Sequence, residues 1–205
     1  MSLYADDSNI YVRSERAGMR VLDSIERFLS KKLKLKVNRQ KSAVGRPQER
    51  KFLGFSFTSG KHLKIKLSKK ALQSVKRRIK QITRRSRGTS LQRIINDLSE
   101  YLRGWYGYYR LIETPSVLKD LDSWIRRRLR CFVMKQWIKN CRTRFNGLRS
   151  LGVSENGARP VAGSRKGPWA MSNMKPVKVA MPNRFFADRG LFSLSEHFGI
   201  FVKTT

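Results

Sequence analysis

Two carboxylates stand side by side at Asp6 and Asp7, directly after Tyr4 and Ala5. At the tip of a β-hairpin such a pair can face one point in solvent and hold a divalent metal, as polymerase chemistry requires. Adjacent acids in a turn are more often simply part of the turn. A second candidate is Lys41, in the run Asn38-Arg39-Gln40-Lys41-Ser42. An ammonium there could protonate or neutralise a departing pyrophosphate, although a loop lysine is more often only solvated. The third is Phe52-Leu53-Gly54-Phe55. Gly54 would let a nucleic-acid backbone approach between aromatic faces, and an apolar core strand with a bulge is an equal reading. Cys131, Cys141, His62 and His197 make no metal-ligand spacing, so the two cysteines read as free thiols in a reducing compartment.

The elements that must position these residues follow from periodicity. Leu3-Tyr4-Ala5 and Ile10-Tyr11-Val12 are β-prone runs around the turn-like Asp6-Asp7-Ser8-Asn9, which predicts a hairpin. Leu22, Ile25, Leu29 and Leu33 mark a helix, and Leu35-Lys36-Val37 a strand. Phe52–Phe57 and His62–Leu67 predict two more strands around Ser59-Gly60. In the second, Leu63, Ile65 and Leu67 share one face and Lys64 and Lys66 the other. A helix with Leu72, Val75, Ile79 and Ile82 inward follows. Then comes one capped by Ser90, carrying Leu91, Ile94, Ile95, Leu98 and Leu102. Thr114-Pro115 opens a third, with Leu118, Leu121, Ile125, Leu129 and Phe132 inward and Arg126, Arg127, Arg128 and Arg130 at its midpoint. Residues 145–205 carry most of the chain's glycine and proline and predict irregular structure, with Phe185-Phe186 and Leu191-Phe192 docking on the rest.

Charge decides the partner. The chain has 205 residues and carries 46 Lys and Arg against 14 Asp and Glu, a formal net charge of +32. Self-repulsion of that size opposes compaction and calls for a polyanion. From Arg50 to Asn96 there are 47 residues without a carboxylate, whereas ordinary solvated faces mix signs, so phosphate contact is favoured. No apolar run reaches the ~18–20 residues of a spanning helix and no signal peptide opens the chain, which argues against a membrane. Among the aromatics of Trp105-Tyr106-Gly107-Tyr108-Tyr109, helical spacing puts Trp105 and Tyr108 in a core and leaves Tyr106 and Tyr109 open. Arg103 and Arg110 are the better candidates for nucleic-acid contact.

Tyr-Ala-Asp-Asp, a helix, Asn-x-x-Lys-Ser and then Phe-Leu-Gly-Phe resemble the last palm motifs of reverse transcriptases, in order and at matching separations. Leu102-Arg103-Gly104-Trp105-Tyr106-Gly107-Tyr108-Tyr109 and Leu121–Arg130 are similar to the thumb, or domain X, of group II intron maturases. Lys166-Gly167-Pro168-Trp169 is similar to the tails of bacterial members. The resemblance implies Asp6 and Asp7 as ligands of Mg²⁺ and Lys41 as the lysine near the leaving group. It also implies Phe52, Leu53, Gly54 and Phe55 as a primer grip. The family's other essential carboxylate and its fingers have no counterpart here, so the chain alone is expected not to polymerise.

The expected fold is α+β: a partial palm over 1–67, a helical thumb and maturase domain over 68–140, and a loop-rich region over 141–205. The expected function is an RNA-binding maturase portion that assists intron RNA folding and splicing. RNA-directed DNA polymerase, completed by a missing N-terminal half, and an inactive remnant are the alternatives. Candidate RNA contacts are Lys64, Lys66, Arg77, Arg78, Arg84, Arg85, Arg103, Arg110, Arg126, Arg127 and Arg130. Structured group II intron RNA is the expected partner, with a DNA target left open, in the bacterial cytoplasm or nucleoid.

Overall fold

The computed structural model describes residues 2–4, 7–38, 41–60, 62–84, 88–138 and 140–199. The chain divides into two compact units, Met1–Ser68 and Lys69–Thr205.

In the first unit, β1 (Ser2–Tyr4) and β2 (Asp7–Asn9) pair antiparallel with Tyr4 opposite Asp7. The hairpin is tighter than composition suggests. Asp7 to Asn9 form the returning strand, and Ile10-Tyr11-Val12 is not a strand. Helix α1 (Glu15–Lys31) starts where the Ser14 hydroxyl accepts the Ala17 N–H at 3.2 Å, an N-cap. Its apolar stripe is only partly covered: Leu22, Ile25 and Leu29 are half-buried, and Gly18 alone is buried. Beyond it Lys34 turns left-handed (φ 56°), and the Leu35 N–H returns to the Leu29 carbonyl at 3.0 Å. That turn closes the helix, so Leu35-Lys36-Val37 leaves it with Leu35 and Lys36 exposed and Val37 half-buried, and does not form the expected strand.

The second sheet of this unit is shorter than its apolar run. Phe52 and Phe55 exchange both backbone hydrogen bonds, at 3.1 and 2.8 Å, around Leu53 (φ 52°) and Gly54 (φ 83°). Two positive φ values in a two-residue loop mark a type I′ turn, so the run folds back at Gly54 where a continuous strand was expected. The strand proper is β3 (Phe55–Phe57), paired antiparallel with β4 (Ile65–Leu67), Phe55 opposite Leu67.

The second unit is helical. Helix α2 (Lys69–Ile82) buries Ala71, Val75, Ile79 and Ile82, with Leu72 half-buried. Helix α3 (Leu91–Tyr109) is capped by the Ser90 hydroxyl, which accepts the Arg93 N–H at 3.2 Å. Its core stripe is Ile94, Ile95, Leu98, Leu102 and Tyr106. The four-residue step from Leu98 through Leu102 leads to Tyr106, so Tyr106 is the core aromatic. Tyr108, expected inside, is 55% exposed. Helix α4 (Pro115–Gln136) begins at the expected proline, but the Thr114 side chain makes no cap hydrogen bond. Leu118, Leu121, Ile125, Leu129 and Phe132 are all buried.

Residues 141–199, expected to be loop-rich, hold five helices joined by short connections. They are α5 (Cys141–Ser150), α6 (Glu155–Ala162), α7 (Pro168–Met171), α8 (Lys175–Ala180) and α9 (Asn183–Ala187). The glycines and prolines that suggested irregularity punctuate helices instead. Pro168 and Pro176 stand in first turns, while Gly163 ends α6 and Gly152 and Gly190 reverse the chain at φ 82° and 83°. Four consecutive buried residues, Cys131 to Met134, show that this turn of α4 is enclosed on every side, before Lys135 and Gln136 emerge at its end. Arg144 is buried among these elements, giving Nε to the Ala162 carbonyl at 3.0 Å and Nη1 to that of Ile138 at 2.8 Å. Among the described residues no helix is long and apolar enough to cross a membrane.

Candidate nucleic-acid interface

In the first unit, Asp6 and Ala5 fall outside the described residues, and Asp7 is placed on β2 by its backbone. Among the described residues no group of three or more His, Cys, Asp or Glu could hold a metal ion. Lys41 is exposed on a turn in which its N–H donates to the Asn38 carbonyl (3.0 Å) and side-chain oxygen (3.3 Å). The segment after it lies against α1 at Gly18, where an added Cβ would come 2.7 Å from Val44 Cγ1. Phe52, Leu53, Gly54 and Phe55 form the turn described above, all half-buried. Lys64 is exposed and Lys66 half-buried, with Lys66 opposite Ser56.

In the second unit the acid-free stretch becomes α2. Lys69, Lys70, Arg77, Arg78, Lys80 and Arg84 are exposed around its buried stripe, and Arg85 lies outside the described residues. Arg78 donates to the Gln81 side chain at 3.3 Å and lies close enough to Tyr101 to offset part of the rise that burial imposes on that phenol. Arg103 on α3 and Arg110 at its C-cap are exposed about two turns apart, flanking Gly104 and Gly107, where an added Cβ would meet nothing within 4 Å.

The arginine run of α4 separates. At about 100° per residue, neighbours on a helix point to different partners. Arg128 donates to the Thr83 hydroxyl at 2.6 Å, tying α4 to the end of α2, and with Lys76 it flanks the Trp124 ring. Arg127 lies over Trp169 at 4.0 Å. Arg130, expected to contact RNA, is instead 8% exposed, gives Nε to the Met181 carbonyl at 3.0 Å and lies 5.9 Å from the Phe186 ring. Burial, helped by the positive charge of Arg126, pushes its pKa down. Through that Nε it holds α4 to the segment after α8. Arg126 is half-buried.

Sequence reasoning missed Asp122. Its buried carboxylate accepts the Leu194 N–H (3.0 Å), the Ser195 N–H (2.9 Å) and the hydroxyls of Ser193 (3.1 Å) and Ser195 (2.7 Å). The signal was present: an aspartate on the inward side of α4, between Leu121 and Ile125, must be paired to be tolerated. The same strap is held elsewhere. Ser99 donates to the Gly190 carbonyl (2.9 Å) and accepts the Phe192 N–H (3.0 Å), and the Tyr106 hydroxyl donates to the His197 carbonyl (2.9 Å). Phe192, stacked on His197 at 4.1 Å, lies 5.8 Å from the Arg103 guanidinium.

A short α/β segment of two hairpins and one helix is thus followed by a basic helical unit closed by its own tail. The model of the family "Reverse transcriptase (RNA-dependent DNA polymerase)" matches residues 1–57, and that of "Group II intron, maturase-specific domain" matches residues 72–150. The chain belongs to the group II intron-encoded reverse transcriptase/maturases, and carries the portion running from the reverse-transcriptase segment through the maturase-specific domain. No curated protein matches it.

Proposed function

We propose that this chain binds structured RNA, the folded RNA of a group II intron, and favours its splicing-competent shape. One observation carries the reading. Within the acid-free stretch α2 folds with its apolar stripe buried, which leaves Lys69, Lys70, Arg77, Arg78 and Lys80 exposed on a helix without a carboxylate and Arg84 exposed just beyond it. Such a face meets phosphates, and phosphate contacts give affinity without sequence information. Preference for one folded RNA needs donors of fixed geometry, and Arg103 on α3 and Arg110 at its C-cap are suited to that. The test is a pair of titrations, intron RNA and an unrelated structured RNA, across a salt series. Steep salt dependence with tighter binding of intron RNA is expected, and a flat salt plot or equal affinity would refute it.

A second reading, RNA-directed DNA polymerase, is favoured by the match over residues 1–57 and by the β1–β2 hairpin. In it Asp6 and Asp7 would hold Mg²⁺, with Lys41 beside the leaving group. Mg²⁺-dependent primer extension that disappears in Asp6→Ala tests it.

A further inference from the structure

We infer that Arg127 and Trp169 form a stacking platform for an unpaired base of the bound RNA, a single-strand subsite distinct from the phosphate-binding face of α2. The inference rests on the RNA-binding reading and adds a ligand class to it. The Arg127 guanidinium lies 4.0 Å from the centre of the Trp169 ring, the distance of a stacked cation–π pair. A second contact fixes the arrangement: Arg127 Nη2 donates to the Trp169 carbonyl at 3.4 Å. The Trp169 carbonyl also accepts the Ser172 hydroxyl at 2.7 Å, which holds the first turn of α7 in place.

The pair is costly unless something uses it. Arg127 Nε is buried with no hydrogen-bond partner among the described residues, so the guanidinium has given up water at one edge to lie against the indole. Trp169 nonetheless keeps 38% of its surface exposed, whereas Trp105, Trp124 and Trp137 are better covered. A tryptophan serving only to fill a core would be covered, and an arginine serving only to bind phosphate would reach for solvent. An indole backed by a guanidinium is a rigid, cation-charged π-surface, and base stacking on such surfaces tolerates any base. Arg165 and Lys166, exposed just before α7, supply the positive charge a strand's backbone needs. Inside an RNA duplex every base face is covered by its stacked neighbours, so the occupant is an unpaired base of a single strand.

Two probes test this: an oligouridylate of about 12 nucleotides and a blunt RNA duplex of similar length. Trp169→Ala should weaken the single strand about tenfold and the duplex less than about twofold, with the salt slope unchanged because no charge is removed. Trp169→Phe should keep most of the single-strand affinity. Arg127→Lys, which keeps charge but not the planar fork, should lose part of it. In unmutated protein, ultraviolet crosslinking to the oligouridylate should map to the peptide containing Trp169. Equal loss on both probes, no loss on either, or a crosslink mapping elsewhere would overturn the platform while leaving RNA binding intact. If the unmutated protein binds neither probe nor intron RNA, the RNA-binding reading falls and takes the platform with it.

Discussion

Replacing Arg77, Arg78 and Arg84 together by alanine removes three exposed charges at or just beyond α2 without touching the buried stripe of Ala71, Val75, Ile79 and Ile82. Each phosphate contact contributes about 0.9 to the slope of log affinity against log salt, so a fourfold rise in salt costs about 3.5-fold per contact. An interface with about six such contacts loses on the order of 1000-fold between 50 and 200 mM salt. With three removed, the loss over the same interval should fall to about 40-fold, and the slope should flatten by about 2.7. The assay is filter binding or fluorescence anisotropy on one folded RNA at four or five salt concentrations, for the triple variant and the unmutated chain. Helical signal and denaturation midpoint should match, since exposed polar substitutions change stability by less than about 0.5 kcal/mol each. Parallel salt plots for the two proteins, at whatever absolute affinity, would show that α2 faces away from the RNA.

The other expectations concern residues whose roles the sequence hid. Arg130→Ala should destabilise the second unit by about 2–3 kcal/mol in urea, through loss of the Met181 hydrogen bond and of packing on Phe186, and leave the salt slope as it was; a flattened slope would return Arg130 to the interface. Asp122→Ala should cost about 3 kcal/mol or more, because two backbone N–H groups and two hydroxyls lose their acceptor at once; a loss under about 1 kcal/mol would mean that water replaces the carboxylate. Leu53→Asn should stabilise the first unit by about 0.5–1 kcal/mol, since Asn suits the left-handed first position of a type I′ turn before Gly54; a destabilisation would show that the Leu53 side chain packs for more than its backbone strain costs.

Helix positions were legible because a 3.6-residue period survives in the sequence whatever the helix packs against. Val75 and Ile79, Ile94 and Leu98, Leu121 and Ile125 all mark faces that are buried. What each face meets was not legible. Arg126 to Arg130 read as one cationic cluster, but consecutive helical residues point in different directions, and only the tertiary partners Thr83, Trp169 and Met181 separate them. The region after residue 140 was misread because glycine and proline serve helix ends as readily as loops when the helices are short. Leu35-Lys36-Val37 has strand composition, but Lys34 closes the helix before it in a left-handed turn, and strand composition without a neighbour makes no strand. The metal-binding reading of Asp6 and Asp7 comes from their adjacency at a hairpin tip and from motif order.

The strap has a consequence for the order in which the second unit assembles during synthesis. Gln92, Ser99, Tyr106 and Asp122 leave the ribosome well before residues 189–197, which satisfy them across separations of 71 to 97 positions. Until those late residues arrive, α3 and α4 can coil but cannot close: a carboxylate on the inner side of α4 has no donors, and its charge opposes dry packing. The donors recorded for the Asp122 carboxylate all come from residues 193–195. A nascent chain halted before residue 193 would expose a charged, water-holding seam between α3 and α4, open to chaperones and proteases, and residues 193–195 would remove it in a single docking event.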